Sequence, residues 1–297
     1  MVKVRHLCIA DPERLEAMPP QWGEHSWLDV ITGVFEGAPL TATHVNVGAV
    51  YTEDESYDYH LYGDKMQELH NIVWYYPDVE SLFLGSTPYV VCMLSVKHAP
   101  RIQPWLDACP KLKRLGILGY VQYPEIQEGL IGLELQELWA INMSAQNTLD
   151  MLESLTAPLE RLTICLRSEY SRTGDPEPEW AAGVLSRFPG LKHLGIINAE
   201  TRDFDDLGDW ELILGVASGL KLPILETLDL THGDWNDACL QEFLEALNPE
   251  HLPSLREIQV GGMWVVQPKI PAKWAHLQIV GEPRNPLTTY RYANCNE

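Results

Sequence analysis

The sequence predicts an α/β solenoid of stacked strand–helix repeats, and three observations carry that prediction. In residues 222–247, LPILETLDLTHGDWNDACLQEFLEAL, Leu225, Leu228 and Leu230 form an L-x-x-L-x-L core behind Pro223, which is the spacing of a short strand. Leu240, Phe243, Leu244 and Leu247 follow at i, i+3, i+4 and i+7, so four apolar side chains share one helix face. The strand core then recurs, with starts at Val79, Leu112, Leu135, Leu159, Leu191, Leu225 and Leu255, spaced by 33, 23, 24, 32, 34 and 30 residues. One strand and one helix cannot bury their apolar faces alone, so each copy implies neighbours of the same shape.

The chain opens with Val4 to Ile9, whose alternation suits a capping strand with Leu7 and Ile9 inward. From Asp11 to Pro39 the text is loop-like, with Pro19, Pro20, Gly23, Gly33 and Gly37 among Trp22, Trp27 and Phe35. Thr43 to Val47 alternates again, with Val45 and Val47 inward, and Tyr51 to Tyr59 reads as an exposed acidic loop bearing tyrosines. Met66 to Trp74 reads as a helix. Together these make residues 1–78 a capping region with divergent repeats.

Residues 79–280 hold the regular repeats. Every start carries an apolar residue three positions on, and six of the seven carry a larger aliphatic five positions on, Leu138 with Ala140 being the exception. Pro77, Pro110, Pro189, Pro223 and Pro253 stand two residues ahead of five starts, where proline ends the preceding segment and holds an extended entry. Between strands the period becomes helical: Leu149, Leu152 and Leu155 behind a Ser144 cap, then Ala181, Val184, Leu185 and Phe188 behind Pro176 and Pro178, then Leu207, Trp210, Leu214 and Ala217. The two shortest spacings leave room for only a short helix or an irregular crossover. Leu277 and Ile279 suit a last strand, and residues 281–297 read as a C-terminal tail.

Composition narrows the partners. Twenty-one Lys and Arg against 42 Asp and Glu give a net charge of −21, which repels nucleic acid phosphates and anionic membranes and attracts a basic protein. The same charge also serves solubility. The six cysteines lie far apart with no C-x-x-C pair or metal-like spacing to histidine, so they read as reduced thiols. MVKVRHLCIAD is broken by Lys3, Arg5 and His6 and lacks the apolar run of a signal peptide, and no uncharged stretch is long and apolar enough to cross a bilayer, so the expected compartment is the cytoplasm. No cofactor is expected: a Walker loop, G-x-G-x-x-G and H-E-x-x-H are all absent. His232 lies between Asp229 and Asp234 with no nucleophile nearby, which argues against an enzyme.

The segments FPGLKHLGIINAE and LPILETLDLTHGDWNDACLQEFLEAL resemble leucine-rich repeat proteins, in particular the bacterial, cytoplasmic, ribonuclease-inhibitor-like type. The chain departs from that pattern in uneven repeat length and in lacking a regular turn asparagine, since Asn142 and Asn198 approach it while Gly85, Gly119 and Gly261 do not. The resemblance implies a leucine-rich repeat solenoid, a right-handed arc with a parallel sheet on its concave side and helices outside, used mostly for binding proteins.

With the leucines inward, the alternate strand residues face the concave surface. They include Phe83, Arg114, Glu137, Trp139, Arg161, His193, Asp229 and Glu257, with Phe83 and Trp139 as aromatic anchors of a protein interface unless flanking side chains cover them. A second surface comes from the loops after the strands. Glu169, Tyr170, Asp203, Asp205, Asp206, Asp234, Trp235 and Trp264 would form an acidic, aromatic rim. Asp206, Asp234 and Asp237 also lie near helix starts, where carboxylates favour the helix dipole. The expected function is a non-enzymatic protein-binding scaffold, with an inhibitor or immunity protein that neutralises a cationic toxin or nuclease as the alternative.

Overall fold

The computed structural model describes residues 3–9, 41–47, 79–85, 106, 109–118, 130, 132–141, 145–166, 176–197, 207–230, 237–261 and 269–282. The chain divides into two compact units, residues 1–135 with 291–297, and residues 136–290.

In the first unit the described strands are β1 (Lys3–Ile9), β2 (Thr41–Val47), β3 (Ser81–Gly85) and β4 (Arg114–Leu118), paired in parallel in chain order. Val79, Leu82, Leu112 and Leu115 are buried in it, as is Cys109, whose thiol burial pushes up to about 12.

The second unit holds β5 (Glu137–Ile141), β6 (Arg161–Cys165), β7 (His193–Ile197), β8 (Thr227–Leu230), β9 (Glu257–Gly261) and β10 (Gln278–Glu282), again all parallel and in chain order. Between them run α1 (Ala145–Ser154), α2 (Pro178–Leu185), α3 (Leu207–Gly219) and α4 (Asp237–Ala246), each packed on the next. A parallel connection needs such a crossover, and the helix supplies it. Even the 24-residue repeat begun at Leu135 fits the ten residues of α1.

Register builds the core one row at a time. Leu138, Leu162, Leu194, Leu228 and Ile258 pair across β5 to β9 and are at most 1% exposed. Ala140, Ile164, Ile196, Leu230 and Val260 stand two positions on and are buried too. Such burial is worth about 1.5–3 kcal/mol for each large aliphatic side chain.

The strands begin two residues later than the leucine spacing predicts, at 81, 114, 137, 161, 193, 227 and 257. The cause is a tight turn. The N–H groups of Leu112, Leu191, Leu225 and Leu255 donate to the carbonyls of Cys109, Phe188, Leu222 and Leu252, three residues back, at 3.0–3.2 Å. Pro110, Pro189, Pro223 and Pro253 therefore hold the second position of that turn, which their fixed φ favours, rather than an extended entry. The residue opening each turn is buried. The next two N–H groups then reach the neighbouring repeat, as Lys192 and His193 do to the Glu160 carbonyl and Glu226 and Thr227 to that of Lys192. Leu277 repeats the turn with Trp274 as its opening residue, although no proline is present.

Helix faces follow the predicted period in α1 and α4. In α3 the buried face is Leu212, Ile213, Val216 and Ala217, with Leu220 just beyond it, while Trp210 and Leu214 are only half-buried, so the expected stripe is rotated. The segment LGDWELILGVASG is apolar on several sides, and its glycines decide the matter. A Cβ on Gly215 would lie 2.2 Å from Cβ of Pro178, and one on Gly219 would lie 2.8 Å from Cβ of Ala182. Close approach thus sets the glycine side against α2, beside the buried face. The Ser144 cap lies outside the described residues.

The C-terminal end of α4 is closed by the following 3-10 turn, Ala272–Trp274. Trp274 Nε1 donates to the Leu244 carbonyl at 2.8 Å, and Lys273 Nζ donates to those of Glu245 and Leu247 at 2.6 and 2.7 Å. Those of Leu244 and Glu245 are last-turn carbonyls that the helix itself leaves without donors, and Leu247 follows directly on the helix end.

Candidate sheet-face binding site

Strand parity turns one side of β5 to β9 away from the leucine core. Its first row is Glu137, Arg161, His193, Thr227 and Glu257, and its second is Trp139, Thr163, Gly195, Asp229 and Gln259, each paired in register with the next. Adjacent members of a row stand about 4.8 Å apart. This brings Glu137, Trp139, Arg161, His193, Asp229 and Glu257, six of the predicted site residues, onto one surface.

The face is neither flat nor uniformly exposed. Arg161 is exposed, Trp139, Glu137, His193, Asp229 and Glu257 are half-buried, and Thr163 and Thr227 are buried although they face the same way. A Cβ on Gly195 would meet the Thr163 side chain at 2.8 Å, so Thr163 leans over the glycine and fills the position it vacates.

Two carboxylates are held along their own strands. Trp139 Nε1 donates to Glu137 Oε1 at 2.6 Å, and Gln259 Nε2 donates to Glu257 Oε1, also at 2.6 Å. The first bond fixes the indole of the predicted anchor, leaving a rigid aromatic edge of the kind that favours interface contact. His193 is held below the ordinary imidazole range, first by burial and next by the Arg161 charge, against the opposing pull of Glu226, Glu137 and Glu257. It is therefore mainly neutral at pH 7, and Arg161 is the fixed cation of the two rows.

Beside these rows runs a ladder that the leucine spacing did not single out. In six of the seven repeats the residue following the first apolar position is charged, Gln136 being the exception, and the signs pair across neighbours as Glu160–Lys192 at 3.0 Å and Glu226–Arg256 in this unit, and Glu80–Lys113 at 3.4 Å in the other. The signal was in the sequence, one residue past Val79, Leu112, Leu159, Leu191, Leu225 and Leu255. Another missed pattern is the helix layer: α1 to α4 contain eight Asp and Glu and no Lys or Arg. The four helices of this unit are thus acid-only, while the sheet face mixes both signs.

The remaining predicted residues fall elsewhere. Arg114 is half-buried on β4 in the first unit, and Phe83 is placed on β3 by its backbone, opposite Asn46 and Gly116, its side chain lying outside the described residues. Asp234, Trp235 and Trp264 lie outside them as well, as do Glu169, Tyr170, Asp203, Asp205 and Asp206, hence the whole rim. Asp237 sits in the first turn of α4, where its charge suits the helix dipole. Among the described residues no group of three or more His, Cys, Asp or Glu is placed to hold a metal ion, and no helix is long and apolar enough to cross a membrane.

No protein-family model and no curated protein matches the chain. Among solved structures, the fold is similar to the crystal structure of a Bacteroides fragilis protein determined as a structural genomics target. That similarity has a TM-score of 0.52, covering 95% of this chain and 74% of the other at 17% identity.

Proposed function

We propose that the chain is a leucine-rich repeat protein, non-enzymatic, whose solvent-facing sheet rows bind another protein. The observation that carries this reading is the register: each strand from β5 to β9 contributes two outward residues to continuous rows, with the hydrogen-bonded Trp139 at one end. Parallel sheets are ordinarily covered on both faces by helices. A face that instead carries charged side chains and a half-buried tryptophan has the mixed composition of a recognition surface. The acidic, aromatic rim around Asp234, Trp235 and Trp264 belongs to the same reading and rests on the sequence alone.

Capture from the source cell's lysate tests it, comparing the native chain with Trp139→Ala. A protein retained by the first and lost from the second, with unchanged melting, supports the sheet face. A Trp139→Ala protein that keeps every partner overturns it.

A second reading, an inhibitor or immunity protein that blocks a cationic toxin or nuclease, is favoured by the acid-only helices and the −21 charge. Its affinity must fall steeply with added salt, because screening shortens the reach of such attraction to about 8 Å at physiological ionic strength. Salt-independent binding excludes this reading.

A further inference from the structure

We propose that the sheet face takes a dipolar protein segment laid across the strands, with a carboxylate over Arg161, a cation over Glu257 and an apolar group against Trp139. This rests on the sheet-face reading and names the partner's chemistry. The cations bordering the two rows are already engaged, Lys192 by Glu160 and Arg256 by Glu226. Arg161 differs: it is exposed, and among the described residues no carboxylate lies within ion-pair distance of it. Its register neighbour Glu137 is turned along its own strand to accept Trp139 Nε1. A planar guanidinium left open on a surface whose other cations are paired fits a carboxylate in two-point contact.

At the other end the signs reverse. In these two rows β8 and β9 present Asp229 and Glu257 and no cation. Glu257 accepts Gln259 through Oε1, and a carboxylate has acceptor capacity for further donors. Arg161 and Glu257 share one register row three strands apart, which sets the ligand's acid and base about 14 Å from each other. Only His193 and Thr227 stand between them. Trp139 lies one strand beyond Arg161, so the ligand's apolar group must be on the side of its acid. An all-basic segment would meet Arg161 and lose that end of the face.

The test is selection of a displayed library of about 20-residue peptides on the native protein, since such peptides in helical form exceed the ~14 Å span. Recovered peptides are then measured against Trp139→Ala, Arg161→Glu, Glu257→Lys and the swapped Arg161→Glu/Glu257→Arg, each checked for native melting. The expected pool carries acid and base together, loses about tenfold affinity on either single reversal, and is replaced by peptides of opposite polarity when selection is repeated on the swapped protein. A pool of purely basic peptides indifferent to Arg161→Glu overturns the dipolar ligand while leaving a sheet-face site intact. Peptides indifferent to all four variants, or no recovered peptides, remove both the inference and the reading beneath it.

Discussion

Replacing Trp274 tests whether the last turn of the second unit is a structural closure rather than a trailing loop. The side chain is fully buried, opens the turn before β10 and donates through Nε1 to the Leu244 carbonyl of α4. Truncation to alanine removes a large aromatic from a packed site, which costs about 3–5 kcal/mol. Phenylalanine retains most of the packing but leaves a last-turn carbonyl without its donor, and that alone costs about 1–3 kcal/mol. For a unit of this size each kcal/mol moves the melting midpoint by about 2–4 °C, so Trp274→Ala should melt about 6–20 °C lower and Trp274→Phe about 2–12 °C lower. Circular dichroism gives the midpoints. Hydrogen exchange supplies the local readout, because the Leu247 amide, bonded to the Phe243 carbonyl, should lose protection first in both variants. If Trp274→Ala melts within a degree of the native chain, or its exchange changes are spread evenly over α1 to α4, the closure argument is wrong.

Further outcomes follow from the same geometry. Gly215→Ala should destabilise by about 1–3 kcal/mol, because the added Cβ collides with Pro178 and the clash exceeds the helix-propensity gain of about 1 kcal/mol. Gly183→Ala, with nothing within 4 Å of the new Cβ, should stabilise by about that gain, and urea midpoints compare the two. His193 should titrate below its ordinary 6.5 in NMR spectra; Arg161→Ala should raise its midpoint and Glu257→Gln lower it. Because protonation is disfavoured in the folded state, the stability linked to His193 is present above pH 6.5 and falls as the pH drops below that value. Cys109 should resist alkylation at pH 8 until denaturant is added; its raised pKa makes its linked stability complete below pH 9.0 and decline as the pH climbs toward about 12.

Much of the strand layer was legible in the leucines, since spacings of three and five positions distinguish core from solvent side whatever surrounds them. The two-residue offset was not, because a leucine buried in a turn and one buried in a strand are equally apolar; only the hydrogen bonds of Leu112, Leu191, Leu225 and Leu255 tell them apart. Proline carried that information but fits both geometries. The rotated face of α3 was hidden for a related reason, its stripe being decided by what Gly215 and Gly219 must touch on another helix. On the sheet face, parity alone brought Trp139, Arg161, His193 and Glu257 together. Parity could not reveal that Thr163 and Thr227 are buried there, which depends on the side chains of neighbouring repeats.

The ladder of alternating charges bears on how such a chain can gain or lose length. Glu160 meets Lys192, and Glu226 meets Arg256, so opposite signs sit at successive steps of the stack. Excising residues 191–224, one whole repeat, would preserve every leucine spacing that remains yet bring Glu160 against Glu226. Excising residues 191–254 would instead bring Glu160 against Arg256 and keep the signs opposed. Each contact is worth at most about 1 kcal/mol, but the bias is consistent in direction. Copy number in this part of the chain is therefore favoured to change by twos, a parity written in side chains that neither fill the core nor face the proposed ligand.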